Sequence, residues 1–136
     1  FVPVTCTSID PIGVTVSYEG QSVTLPVEPR ADLVGQTLTL GIRPEHTTLA
    51  RGDVNITVLP SVIERLGINT IAYAALPSGE PYCALLPGSA PVRAEEPLVT
   101  GIMAADCHLF DGNGQALERQ VDWRTLELPA AVTAAE

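Results

Sequence analysis

The sequence predicts an all-β fold, because short alternating segments separated by turn residues account for almost all of its periodicity. Residues 14–18 and 22–27 alternate and flank Glu19-Gly20-Gln21, a pattern typical of a β-hairpin. A second hairpin is predicted around residues 77–81. The 12 prolines and 11 glycines among 136 residues suit many short strands. No segment has the period of a long helix.

The other elements follow in order along the chain. Single helical turns are the most that residues 30–34 and 90–95 could form. Pro60 predicts a break or bulge, since proline cannot donate a ladder hydrogen bond. The remaining strands are predicted at residues 2–9, 36–42, 54–66, 70–76, 82–86, 98–103 and 107–110.

The strand at residues 36–42 is predicted to end in a charged segment, Gly41-Ile42-Arg43-Pro44-Glu45-His46. Arg43 and Glu45 lie two residues apart, so on a strand they would share one face. Pro44 should stop the pairing. One interpretation is a salt bridge at the rim of a small barrel, a common and weak contact; the other is a specific interaction site.

An internal repeat supports the second interpretation. Leu38-x-x-Gly41-Ile42 recurs sixty residues later as Leu98-x-x-Gly101-Ile102, and the same shift superimposes the two predicted hairpins. We therefore predict two related β units, about 1–60 and 61–118, followed by a tail at 119–136 in which Trp123 could anchor on the barrel. The second copy has Met103-Ala104-Ala105 where the first has Arg43-Pro44-Glu45. The charged segment is thus not needed to form the unit.

Composition and charge argue against several classes of function. The net charge is −9 and all seven basic residues are arginine, so the surface repels phosphate backbones and nucleic-acid binding is not expected. The odd count of three cysteines does not suggest a disulfide framework. No apolar run approaches the ~20 residues of a membrane span. Because the chain begins at Phe1, we interpret it as a piece of a longer protein or as a processed protein.

No catalytic, cofactor-binding or metal-binding pattern is found in the sequence. It lacks GxxxxGK[ST], GxSxG, HExxH and CxxC. Cys107-His108 has no second ligand pair nearby, and Asp111-Gly112-Asn113-Gly114 lacks the distal glutamate of a calcium loop. The histidines, His46 and His108, have no nucleophile at a recognisable spacing. The fragment is therefore not expected to be an enzyme.

Three motifs together resemble one protein family. They are Leu40-Gly41-Ile42-Arg43-Pro44-Glu45-His46, Val62-Ile63-Glu64-Arg65-Leu66-Gly67 and Cys107-His108-Leu109-Phe110-Asp111. In this order and spacing they resemble the C-terminal regulatory (transport-associated OB) region of ATP-binding subunits of carbohydrate ABC importers, of the maltose and glycerol-phosphate type. The resemblance covers residues 1–118.

The resemblance implies an OB-fold-like barrel made of two transport-associated OB units. It also implies an ATPase domain upstream, which would bind ATP and Mg, whereas this fragment would hold no cofactor. The partners implied are a second ATP-binding subunit in a homodimer, transmembrane permease subunits contacted through the upstream domain, and a regulator protein. The implied location is cytoplasmic, peripheral at the inner face of the cell membrane.

The same resemblance implies a set of regulatory or interface residues. The family's regulatory positions match Gly35, Gly41, Glu64, Gly101 and Phe110, and the pair Arg43 and Glu45 lies beside them.

Two other functions stay open at this point. A double-OB module could sense an oxyanion or another small ligand, although a chain without lysine and with net charge −9 offers little to bind an anion. Alternatively, the domain could be a structural spacer without ligand or regulator.

Overall fold

The computed structural model describes residues 1–120 and confirms the all-β class. Within these residues the chain forms ten strands and three single 3-10 turns. The strands are β1 (Val2–Asp10), β2 (Gly13–Tyr18), β3 (Gln21–Leu25), β4 (Thr37–Gly41), β5 (Val54–Val58), β6 (Val62–Arg65), β7 (Asn69–Ala75), β8 (Pro81–Pro87), β9 (Leu98–Ile102) and β10 (His108–Phe110). The 3-10 turns are Ala31–Leu33, Pro44–His46 and Ala104–Asp106. Trp123 and the rest of the predicted tail beyond Gln120 lie outside the described residues.

The strands form three antiparallel sheets. The largest has the order β10-β4-β1-β2-β3, the second pairs β5 with β9, and the third has the order β6-β7-β8. Both hairpins occur as predicted, with Glu19-Gly20 joining β2 to β3. Pro60 lies in the gap between β5 and β6, where the predicted break occurs. Of the two predicted helical turns, the first is found as Ala31–Leu33, while residues 90–95 contain no 3-10 or α-helical residue.

Strand pairing repeats between the two halves of the described chain. The first part of β1 pairs with β4 and its second part with β2. In the same way, β5 pairs with β9 and β6 pairs with β7. Taken together, β5 and β6, with the break at Pro60 between them, are thus the counterpart of β1. The boundary between two units at residue 60 stays a prediction. β5 lies before this boundary and pairs with β9, which lies after it.

The core lies between the sheets and is almost entirely aliphatic. Alternation in β1 turns Val2, Val4 and Cys6 inward, each at most 3% exposed. The largest fully buried side chains include Leu25, Leu33, Leu38, Leu40, Ile56, Leu86, Ile102 and Leu109. Strands from both halves therefore contribute to one hydrophobic cluster. Over residues 1–120, no helix is both long and apolar enough to cross a bilayer.

Candidate functional site

The charged segment after β4 forms a 3-10 turn, which differs from the strand end expected from the sequence. β4 ends at Gly41, Arg43 caps the turn with extended backbone, and Pro44 occupies its first position, where a missing N–H costs no hydrogen bond. The Arg43 Nη1 and Glu45 Oε2 atoms lie 3.6 Å apart, with the two side chains 64% and 49% exposed. The predicted ion pair therefore exists, on a solvated turn where it contributes little to stability.

Arg43 lies at the rim of an apolar groove of about 360 Å³. The groove is lined by Phe1, Gly41, Ile42, Arg43, His108 and Phe110. The Phe1 and Phe110 rings meet edge to face, with centroids 5.7 Å apart and planes inclined by 72°, a favoured aromatic geometry. Guanidinium and imidazole groups thus border an aromatic floor, which suits contact with a side chain that is part apolar and part acidic.

Gly41 makes room for the aromatic floor. A Cβ atom at this position would lie 2.8 Å from the Phe110 ring and 3.5 Å from the Cβ of His108. β10 pairs with β4, and His108 lies directly opposite Gly41. A larger residue at position 41 would therefore force the Phe110 ring to shift. Gly41, Arg43 and Phe110 thus line one groove, and Glu45 is linked to it through its ion pair with Arg43.

Gly101 is the counterpart of Gly41 but lies at a different place in the fold. Gly101 forms an antiparallel bridge with Thr48, which corresponds to the pairing of Gly41 with His108 in the other half. A Cβ at Gly101 would lie 2.0 Å from the Ala50 carbonyl oxygen. Close backbone packing is therefore sufficient to require glycine there.

The structure places Gly35 and Glu64 away from the groove. Gly35 has φ +86°, a conformation that favours glycine, and its N–H donates to the Cys6 carbonyl at 2.8 Å. Glu64 lies on β6, where its Oε1 accepts a hydrogen bond from the Tyr73 hydroxyl at 3.0 Å. That hydrogen bond is the main reason why the pKa of Tyr73 is raised. These two residues and Gly101 stay predicted interface positions outside the groove.

Sequence reasoning missed three residues of the groove, namely Phe1, Ile42 and His108. Ile42 and His108 belong to the motifs that resemble the family. The alternation of apolar residues in those motifs does not indicate that the two residues line one groove. No sequence signal could have found them, because the pairing of β10 with β4 that brings positions 41 and 108 together is set by tertiary structure.

Among residues 1–120, the buried cysteines are not activated as nucleophiles. Cys107 is 2% exposed, and burial, with Asp106 nearby, raises the pKa of its thiol to about 11. The thiol therefore stays protonated at neutral pH, and it donates to the Met103 carbonyl at 3.4 Å. Cys6 and Cys83 are also free thiols whose pKa values are raised by burial. Over the part of the chain that is described, no three His, Cys, Asp or Glu residues cluster as metal ligands would.

Asp111 organises the turn after β10. Its Oδ1 accepts hydrogen bonds from the N–H groups of Asn113 (2.9 Å) and Gln115 (3.0 Å). Its Oδ2 lies 3.2 Å from Arg30 Nη1. These donors, with Gln115 the strongest, lower the pKa of Asp111.

We expect acid to destabilise the domain partly through Asp111. Since its folded pKa lies below the unfolded value of about 3.9, its stabilisation is complete above that value. It is lost as the pH falls through the lower folded pKa. Urea unfolding at pH 7 and pH 3 should therefore show a smaller acid loss in Asp111→Asn than in the wild type. Glu80→Gln on the exposed hairpin loop is the control; an equal acid loss in all three proteins would contradict the prediction.

Comparison with known proteins adds a family and a set of relatives. A family model described as "TOBE domain" matches residues 40–110. The chain is 35% identical over 122 residues to a maltose/maltodextrin import ATP-binding protein of Aliivibrio fischeri, covering 88% of this chain and 33% of that protein.

Two further relatives also match most of the chain. One is an sn-glycerol-3-phosphate import ATP-binding protein of Chromohalobacter salexigens, 34% identical over 120 residues, covering 84% of this chain and 30% of that protein. The other is an alpha-glucoside transport ATP-binding protein of Rhizobium meliloti, 38% identical over 101 residues, covering 71% and 27%. The chain spans about a third of the length of these curated relatives.

Proposed function

This chain belongs to the TOBE domain family, and on that premise we propose that it is the regulatory and dimerisation domain of an ATP-binding subunit of a carbohydrate ABC importer. Its relatives are named as ATP-binding proteins for the import of maltose, glycerol phosphate and alpha-glucosides. The sequence contains no phosphate-binding loop. ATP hydrolysis would therefore be carried out by another part of a longer protein.

The groove beside Arg43 is the observation that supports a docking role most directly. It combines an aromatic floor with an ion pair that is largely exposed to solvent. Interface centres are typically enriched in aromatic residues and arginine. Within the described residues its rim carries Arg43 and His108, so a matching surface would be apolar with an acidic edge.

A second copy of the chain is the partner that we propose for this surface. Because two copies of net charge −9 repel each other at long range, pairing would rest on the apolar floor of the groove, with Arg43 meeting an acidic side chain of the copy. Pairing would keep two ATPase subunits together. The permease subunits would bind elsewhere on the longer protein, at the inner face of the membrane. A regulator protein would compete for, or extend, the same surface.

Replacing Arg43 with alanine should weaken association and leave the fold intact. The Arg43–Glu45 pair is exposed, so the free energy of unfolding should change by no more than about 0.5 kcal/mol. Loss of the charge should weaken self-association about tenfold, as expected when a rim charge sets register and encounter rate. Light scattering after size exclusion, across a concentration series, measures the second effect.

The matched control is Arg51→Ala, since Arg51 is an exposed arginine outside the groove. It should associate like the wild type. If the wild type were monomeric at every concentration, the pairing proposal would fail and the spacer interpretation would gain. If Arg43→Ala lost cooperative unfolding, the charged turn would be structural.

Oxyanion sensing is the weaker proposal. An anion site needs converging cations or N–H groups, whereas Arg43 lies 3.6 Å from Glu45 and Arg30 lies 3.2 Å from Asp111. Isothermal titration with molybdate and sulfate tests it directly, and heat of binding at a one-to-one ratio would favour it over the docking role.

A further inference from the structure

Three hydroxyl side chains form a row across the outer face of the largest sheet. Thr5 on β1 lies directly opposite Ser17 on β2 and, on its other side, directly opposite Thr37 on β4. Residues paired in this way share a face, with Cβ atoms about 5 Å apart. Thr5 and Thr37 are exposed and Ser17 is half-buried. The row is therefore accessible from solvent.

The hydroxyls of this row do not satisfy one another. Among residues 1–120, none of the three makes a side-chain hydrogen bond, whereas the next cross-strand hydroxyl pair, Thr15 and Thr24, is joined at 2.7 Å. The same sheet thus contains one pair of hydroxyls that hydrogen-bond to each other and one row of three hydroxyls that do not. We call the second set the open row. Each open hydroxyl can still donate one hydrogen bond and accept others.

The open row forms one wall of a cavity of about 270 Å³. Tyr18 and Glu19, at the tip of the first hairpin, form a second wall. Pro77 and Ser78, from the loop between β7 and β8, close it from the other half of the chain. Five hydroxyls and one carboxylate therefore converge on a concavity at the boundary between the two halves.

Glu19 occupies a backbone conformation that does not suit its side chain. The two-residue turn has φ +48° at Glu19 and +79° at Gly20, as in a type I′ turn, where Asn, Asp or Gly is preferred. A glutamate there is strained, and strained residues concentrate at functional sites. The pKa of Tyr18 is raised, first by burial and then by the charge of Glu19.

The charge of the cavity limits the class of ligand. Glu19 is the one ionisable side chain besides Tyr18 among the lining residues, and no arginine or histidine lines the cavity. A single carboxylate repels anions. Hydroxyls that both donate and accept match a ligand whose own groups do both.

We propose that this cavity binds a small, neutral, polyhydroxylated ligand of the monosaccharide class, with Glu19 accepting hydrogen bonds from the ligand's hydroxyl groups. The site and the groove at Arg43 share no lining residue, although Thr37 and Gly41 lie on the same outer face of β4. The proposal therefore goes beyond the pairing function and stands or falls independently of it.

Titration of the 136-residue chain with D-glucose, followed by amide NMR, tests the proposal. We expect shifts confined to Thr5, Ser17, Tyr18, Glu19, Thr37 and Ser78, saturating with a Kd on the order of 1 mM and insensitive to salt, since the ligand is neutral. Sulfate is titrated in parallel. Absence of glucose shifts at these residues, or sulfate binding there, would overturn the proposal.

Two variants separate binding from folding. Glu19→Gly suits a positive φ, so its melting temperature should equal or exceed that of the wild type, while glucose binding weakens about tenfold. Thr5→Val keeps a β-branched strand residue but removes the central hydroxyl, and should weaken binding similarly. Thr57→Val, at an exposed threonine on β5, is the matched control and should bind like the wild type. Equal glucose binding by Thr5→Val and Thr57→Val would overturn the proposal.

Discussion

Replacing Gly101 with alanine is expected to destabilise the domain by about 3 kcal/mol or more. The new Cβ would lie 2.0 Å from the Ala50 carbonyl oxygen, 2.5 Å from the Gly52 nitrogen and 2.9 Å from the Arg51 carbonyl carbon. All three are backbone atoms, so no side-chain rotation relieves the overlap. Gly101 also exchanges two backbone hydrogen bonds with Thr48, at 2.8 and 3.1 Å. The alanine must therefore move β9 away from residues 48–52, the segment that packs against it.

Denaturant unfolding measures this loss, with Gly112→Ala as the control. A Cβ at Gly112 would meet no atom within 4 Å, and its φ is not positive, so that variant should stay within about 0.5 kcal/mol of the wild type. An unchanged stability in Gly101→Ala would show that residues 48–52 can move aside. In that case, weaker self-association of Gly101→Ala would mean that Gly101 lies in the interface, since misfolding would be ruled out.

Replacing Thr100 with valine is expected to cost about 2 kcal/mol through two orphaned polar groups. Thr100 is fully buried, and its Oγ1 donates to the Ile56 carbonyl at 3.1 Å. The same oxygen lies 2.6 Å from the Tyr82 hydroxyl, which is buried with it. Burial is also the main reason why the pKa of Tyr82 is raised to about 12. Valine keeps the shape but removes the hydroxyl, so the Ile56 carbonyl and the Tyr82 hydroxyl each lose this hydrogen bond.

A double-mutant cycle with Tyr82→Phe makes this prediction specific. Removing the phenol hydroxyl as well leaves fewer unpaired groups, so the double variant should be less destabilised than the sum of the two single variants. Thr24→Val is the matched control, because its hydroxyl pair with Thr15 is exposed to water. Strict additivity in the cycle would contradict the buried network.

Local features of the fold could be predicted from particular residues. Glu19-Gly20 predicted the first hairpin and Pro60 predicted the break between β5 and β6, because both act on their own backbone. The repeat of Gly41 at Gly101 correctly indicated two equivalent positions, each forming an antiparallel pair just beyond a 3-10 turn of the other half. The 3-10 conformation at Pro44 was missed, since a strand was assumed to continue past Gly41.

The candidate site could be predicted only in part. The sequence singled out Gly41, Arg43, Glu45 and Phe110, which the structure brings together. It also named Gly35, Glu64 and Gly101, which lie elsewhere. The aromatic floor depends on β10 pairing with β4, and alternation in either segment does not reveal which strand lies beside it.

The sequence by itself determined the all-β class, the hairpins, the absence of a phosphate-binding loop and the acidic charge. These follow from local backbone preferences and from composition. Only the tertiary structure decided that β5 joins β9 and that Thr5 lies between Ser17 and Thr37. Strand partners far apart in the chain are chosen by burial of a shared core, so the surfaces that form between them cannot be predicted from any one segment.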